Sequence, residues 1–150
     1  MTAPDAPRPN VWPTLRARDA RALIRFLVDA FGFDEVVAYG DQPDGSGDTV
    51  MHAELAWPLG GGIMLGSVRA GSVDDGSEPD RWSLEPGSAG CYVVTDEPDA
   101  LHDRAVAAGA RILMALHDTD YGSREFAALD PEGNRWSFGT YRGHPRPQPD

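Results

Sequence analysis

The chain has 150 residues, 41% of them apolar and 25% charged, which suits one domain with a real core or two small modules sharing one. Twenty-four acidic residues against thirteen basic ones give a formal net charge of −11, which speaks against nucleic-acid binding, since phosphate contacts demand a basic patch. No apolar run approaches the roughly 20 residues of a membrane helix, no basic start leads into an apolar signal segment, and a lone cysteine, Cys91, leaves no internal disulfide, so a cytoplasmic protein without membrane contact is expected.

Residues 1–10 and 143–150 hold three prolines each and read as disordered tails. Val11 to Arg18 reads as a strand, and Asp19 is placed to cap a helix by accepting a hydrogen bond from a free amide of the first turn. Leu23, Phe26, Leu27, Ala30 and Phe31 then recur at helical spacing and form one apolar stripe, which Gly32 ends. Phe33 to Tyr39 is a second strand and Asp41 to Asp48 a loop. Val50 to Trp57 and Gly62 to Val68 pair as a hairpin across Pro58-Leu59-Gly60-Gly61. Residues 70–88, rich in glycine, proline and acids, read as a linker with one ordered turn around Trp82.

The pattern then restarts. Ala89 to Thr95 is a strand, Asp96 a cap, and Pro98 sits in the first helical turn, where a missing donor is harmless. Pro98, Leu101, Ala105 and Ala108 line one helix face, and Gly109 closes it. Ala110 to Leu116 is a strand, His117 to Ser123 a polar loop, and Arg124 to Leu129 leads into the turn Asp130-Pro131-Glu132-Gly133-Asn134. From Arg135 the residues alternate, with Trp136 and Phe138 on one face and Arg135, Ser137 and Gly139 on the other.

Laying Gly32 over Gly109 puts Asp19 on Asp96, an offset of 77 residues; a shift of 73 puts Ile63-Met64-Leu65-Gly66 over Trp136-Ser137-Phe138-Gly139. The chain is thus two copies of strand–helix–strand–strand–strand, at 11–69 and 89–142. The expected class is α+β: two βαβββ modules forming a curved mixed sheet around a cleft, helices on the outer face.

That plan, together with Arg18-Asp19 opening the first helix, Phe31-Gly32-Phe33 closing it, and Tyr121-Gly122-Ser123-Arg124-Glu125-Phe126 leading into Asp130 to Asn134, resembles the vicinal oxygen chelate superfamily of glyoxalases, extradiol dioxygenases and bleomycin-resistance proteins. The resemblance implies the fold; one fold hosts many functions. In the family's enzymes a divalent metal is held by His, Gln or Glu on the first and last strand of each module. The corresponding positions here are Trp12, Met64, Ala89 and Ser137, none of which is such a ligand. No metal and no cofactor are expected.

With the repeat's parity, the cleft face carries Trp12, Thr14, Arg16, Met64, Cys91, Val93, Ser137 and Tyr141, an apolar and aromatic surface with a few polar groups, as in small-molecule pockets. Trp12 and Tyr141 are suited to stack on a planar ligand or face a cation, or else simply fill the interior. Cys91 reads as a small buried hydrophobe rather than a nucleophile. His52 and Glu54 share the more polar face of their strand, either as a proton carrier and its tuning carboxylate or as a solvated pair. His102 reads as solvated on its helix and His144 as part of the tail. The expected function is metal-free binding or sequestration of a small organic ligand, cationic or aromatic, by a homodimer whose grooves are shared between subunits, as the resemblance implies for the bleomycin-resistance branch. The alternative is a glyoxalase-like lyase or other family enzyme with a displaced metal site or metal-independent acid–base chemistry.

Overall fold

A computed structural model describes residues 8–68 and 84–148; the turn expected around Trp82, most of the 70–88 linker and the outer parts of both tails lie outside the described residues. The first module runs β1 (Thr14–Ala17), α1 (Ala20–Phe26), β2 (Asp34–Gly40), β3 (Val50–Ala56) and β4 (Gly62–Ser67). The second runs β5 (Gly90–Val94), α2 (Pro98–Ala107), β6 (Arg111–Asp118), β7 (Arg124–Leu129) and β8 (Arg135–Gly139). Each sheet has its first and last strands paired parallel and its other neighbours antiparallel, in the orders β1-β4-β3-β2 and β5-β8-β7-β6. This is the expected α+β duplication. Arg124–Leu129, which leads into the Asp130 turn, is the strand that the second βαβββ copy requires there.

Local chemistry explains the first helix. Asp19 accepts a hydrogen bond from the Ala22 amide at 3.1 Å, satisfying one of the free donors of the first turn. After Phe26 the helix widens into one π-helical turn, Leu27–Phe31, and stops at Gly32 in the left-handed region, φ 88°. The second helix lacks that turn. Gly32 lies 13 positions after the cap residue Asp19, whereas Gly109 lies 12 after Glu97, which occupies the cap position of α2. The expected cap, Asp96, is displaced by one residue and pairs instead with Arg142.

That single extra residue shifts the alignment of the two first strands. Laid against their parallel partners, Thr14 stands beside Met64 and Tyr92 beside Ser137, an offset of 78 rather than 77. A one-residue slip moves every side chain to the other face. Cys91 and Val93, expected on the open face, therefore lie beside the buried Trp136 and Phe138, and Tyr92 takes the open position.

The apolar faces of both sheets look into one core. Leu15, Leu65, Ala53 and Leu55 from the first sheet and Val93, Phe138, Phe126 and Ala128 from the second are all buried in it. Phe31 and Phe33 of the first module sit against the second sheet: Phe31 is 4.7 Å from the Phe138 ring and Phe33 5.5 Å from Trp136. The helices meet where Arg104 of α2 donates to the carbonyls of Asp29 (2.8 Å) and Val28 (3.0 Å), occupying acceptors at the end of the first helix. His102 is accordingly not a fully solvated residue; its ring stands edge-on to Phe126 at 5.2 Å. Because the apolar faces of both sheets fill this core, the open faces are the sides of the sheets that lie outside it. The physical reason is area: each module covers with its partner the apolar surface it cannot bury alone.

The turn Asp130–Asn134 ties the modules together. Buried Asp130 accepts hydrogen bonds from the amides of Glu132 and Asn134 and from the side chains of Asn134 and Trp136, at 2.8–3.0 Å. Asn134 in turn accepts from the Ala89 amide at 3.1 Å. Glu132 reaches across to the first module and accepts from the amides of Arg18 (2.5 Å) and Asp19 (3.3 Å).

Candidate functional site

The open face of the second sheet holds a concavity of about 710 Å³. Two rungs of the ladder run beneath it: Tyr92, Ser137, Ala127 and Met114 cross the four strands in one and line the hollow, and Val94, Gly139, Glu125 and His117 follow in the next, of which Glu125 and His117 line it. Its rim is the loop after β6, which carries Asp120 and Tyr121, and the segment after β8, which carries Tyr141. Buried Ser123 holds these two together: its amide and carbonyl bond Thr119, and its hydroxyl accepts from the Tyr141 amide at 3.1 Å. Tyr121 and Tyr141 consequently meet edge to face, centroids 5.8 Å apart.

Gly139 is necessary to this arrangement. A Cβ there would stand 2.6 Å from the Tyr92 hydroxyl and 2.7 Å from Glu125 Cγ, so only glycine lets both side chains close over the strand. Tyr92 donates to the Tyr141 carbonyl at 2.7 Å, and Tyr121 donates to the Glu125 carboxylate. Donation to that carboxylate raises the Tyr121 phenol above its ordinary value; burial does the same for Tyr92. Both therefore remain protonated donors at neutral pH. His117 donates from Nδ1 to the Ala115 carbonyl at 2.8 Å, leaving Nε2 as its free nitrogen.

The first sheet's open face is different. Its rungs place Thr14, Met64, Glu54 and Val37 in line, with Arg16 beside Gly66 and Tyr39 beside His52. The Arg16 guanidinium lies over Gly66, where a Cβ would be 2.5 Å from Nη1. His52 Nε2 and Glu54 Oε2 are 2.8 Å apart, within hydrogen-bonding distance.

Of the residues expected at a site, Arg16, His52, Glu54 and Met64 share the first face, and Ser137 and Tyr141 the second. Trp12 precedes β1; its ring packs on Gly62, and its Nε1 donates to the Pro9 carbonyl at 3.1 Å. Ala89 likewise precedes β5. Cys91 lines a separate, mainly apolar cavity of about 220 Å³ at the seam of the modules, where burial raises its thiol pKa. Sequence reasoning passed over Tyr92, Tyr121 and Glu125. The first is hidden by the parity slip, while the signal for the others is Tyr121-Gly122-Ser123-Arg124-Glu125, whose ends meet once Gly122 turns the chain.

A divalent ion does not fit this set of side chains. Met64 and Ser137 stand on the open faces beside Thr14 and Tyr92, and among the described residues no three of His, Cys, Asp and Glu lie close enough to share an ion. No helix among them is long and apolar enough to cross a membrane.

Comparison with known proteins agrees with this architecture. The chain is 30% identical over 131 residues to uncharacterized proteins of Mycobacterium bovis and Mycobacterium tuberculosis, covering 87% of this chain and 82% and 74% of theirs. Among solved structures, TioX from Micromonospora sp. ML1 superposes with a TM-score of 0.64 at 28% identity, over 87% of this chain and 98% of that one. A glyoxylase/bleomycin resistance protein/dioxygenase domain from Frankia sp. EAN1pec shares the fold, with a TM-score of 0.63 at 19% identity, over 91% of this chain and all of that one. The family model of the glyoxalase/bleomycin resistance protein/dioxygenase superfamily matches residues 11–138, and the chain belongs to that superfamily.

Proposed function

We propose that the protein binds a small organic molecule, without a metal, on the open face of its second sheet, and that a homodimer completes the site by laying the first sheet's open face of one copy over the second sheet's open face of the other. The observation that carries this reading is the concavity of about 710 Å³, within the size range of ligand pockets and lined by aromatic and apolar groups around a few fixed polar ones. The two open faces support the dimer: both lie outside the shared core, and they carry unlike side chains. The donor set supports the metal-free part.

Sedimentation of EDTA-treated protein is expected to give twice the 16.2 kDa chain mass. The same sample, screened against aromatic and cationic compounds, is expected to show a melting temperature that rises with ligand concentration. A monomer at micromolar concentration, or stabilisation by ligand only after a divalent ion is restored, would overturn the reading.

A further inference from the structure

Three of the chain's four tyrosines, Tyr92, Tyr121 and Tyr141, line one hollow of the second sheet's open face together with Glu125, to which Tyr121 is bonded. The hydrogen bonds fix the positions of these groups: Tyr121 is tied to Glu125, Tyr92 to the Tyr141 backbone, and Tyr141 to Ser123. The rings present electron-rich faces, and His144 adds a further ring 6.3 Å from Tyr141. Asp120 lines the same hollow.

Nearby arginines do not neutralise this corner. Arg124, next in the chain to Glu125, points to the other side of its strand and bonds Asp99 at 2.6 Å and Asp118 at 3.1 Å. Arg142, next to Tyr141, pairs with Asp96. Arg135 shares the open face but stands four residues along β8 from Gly139, roughly 13 Å away at strand spacing, beyond the screening length of about 8 Å at physiological salt. Among the described residues, the result is a concave, aromatic corner whose carboxylate is paired with no arginine.

We infer that this corner is a binding site for an organic cation, a substituted ammonium group seated among Tyr92, Tyr121 and Tyr141 with Glu125 as its counter-ion. The inference rests on the ligand site proposed above and specifies the chemistry it selects. An apolar hollow alone would take any ligand of the right shape; the carboxylate and the ring faces add a preference for positive charge. A bulky alkylated ammonium suits such a site better than a bare metal ion, because it loses little hydration on entering and can cover several ring faces at once.

The test compares choline with 3,3-dimethylbutan-1-ol, which has the same shape with carbon in place of the charged nitrogen, by NMR titration of tyrosine-labelled protein. Tyr39, on the first sheet's face, gives the fourth signal and reports on the wall that a second copy would supply. Choline is expected to move the Tyr92, Tyr121 and Tyr141 signals and to bind at least about tenfold more tightly than the alcohol. Its affinity is expected to fall about tenfold in Glu125→Gln and with added salt, while that of the alcohol stays constant. Equal binding of both compounds, or choline binding insensitive to both the substitution and salt, would overturn the inference and leave the ligand site itself standing. If neither compound moves the three signals, both readings fail.

Discussion

The two open sheet faces are built on the same plan and have opposite character. At matching positions Gly66 and Gly139 each leave room for a polar arm, but on the first sheet the arm is the Arg16 guanidinium, and on the second it is the Tyr92 hydroxyl and the Glu125 side chain. The first face adds the His52–Glu54 pair and Met64; the second adds Tyr121, Tyr141 and a deep hollow. Beneath these faces the modules resemble each other far more closely, because both undersides must fill one shared core. Duplication has kept the packing and freed the chemistry: a side chain on the open face has few neighbours to satisfy, whereas one on the underside has many.

The largest effect is expected where the two modules depend on each other. Trp136 is fully buried, touches Phe31 and Phe33 of the first module and donates to Asp130. Trp136→Ala is expected to cost about 3–5 kcal/mol in urea unfolding, with both modules lost in one transition. A loss below about 1 kcal/mol, or two separate transitions, would mean that the modules are independent.

An intermediate effect distinguishes the faces themselves. Gly139→Ala and Gly66→Ala place the same methyl group at matching positions, each costing about 1–3 kcal/mol if neighbours must shift. Only Gly139→Ala is expected to weaken choline binding, by about tenfold, because it pushes Tyr92 and Glu125 apart. Equal losses in the two variants would mean that the cation is not held at the corner of Tyr92 and Glu125.

The smallest effect tests the parity of β5. With Cys91 on the core side and burial raising its thiol pKa, its reaction with a disulfide reagent at pH 7.5 is expected to be at least about tenfold slower in the folded chain than in urea. A folded-state rate equal to the unfolded one would return Cys91 to the open face.

Much of this was legible in the residues. The apolar stripe from Leu23 to Phe31, the alternation from Arg135 to Gly139 and the correspondence of Met64 with Ser137 follow from periodicity, which depends only on local geometry. The pairing of His52 with Glu54 also follows, since residues two apart on a strand share a face. The face of Cys91 was not legible. It turns on one extra residue absorbed as a π-helical turn in the first helix, and neither copy of the repeat announces that insertion by composition.

The amino-acid sequence by itself determined the duplication, the strands and helices, which side of the last strand is buried, and the superfamily. The first three rest on hydrophobic period and turn chemistry, which act over a few residues, and the superfamily on the resemblance of the repeat plan and its motifs to a known family. Only the tertiary structure decided that the two modules share one core, that Tyr92 rather than Cys91 faces outward, and that Tyr121, Tyr141 and Glu125 meet at one corner. Those outcomes depend on contacts between residues far apart in the chain, where a single shared core sets the orientation of everything attached to it.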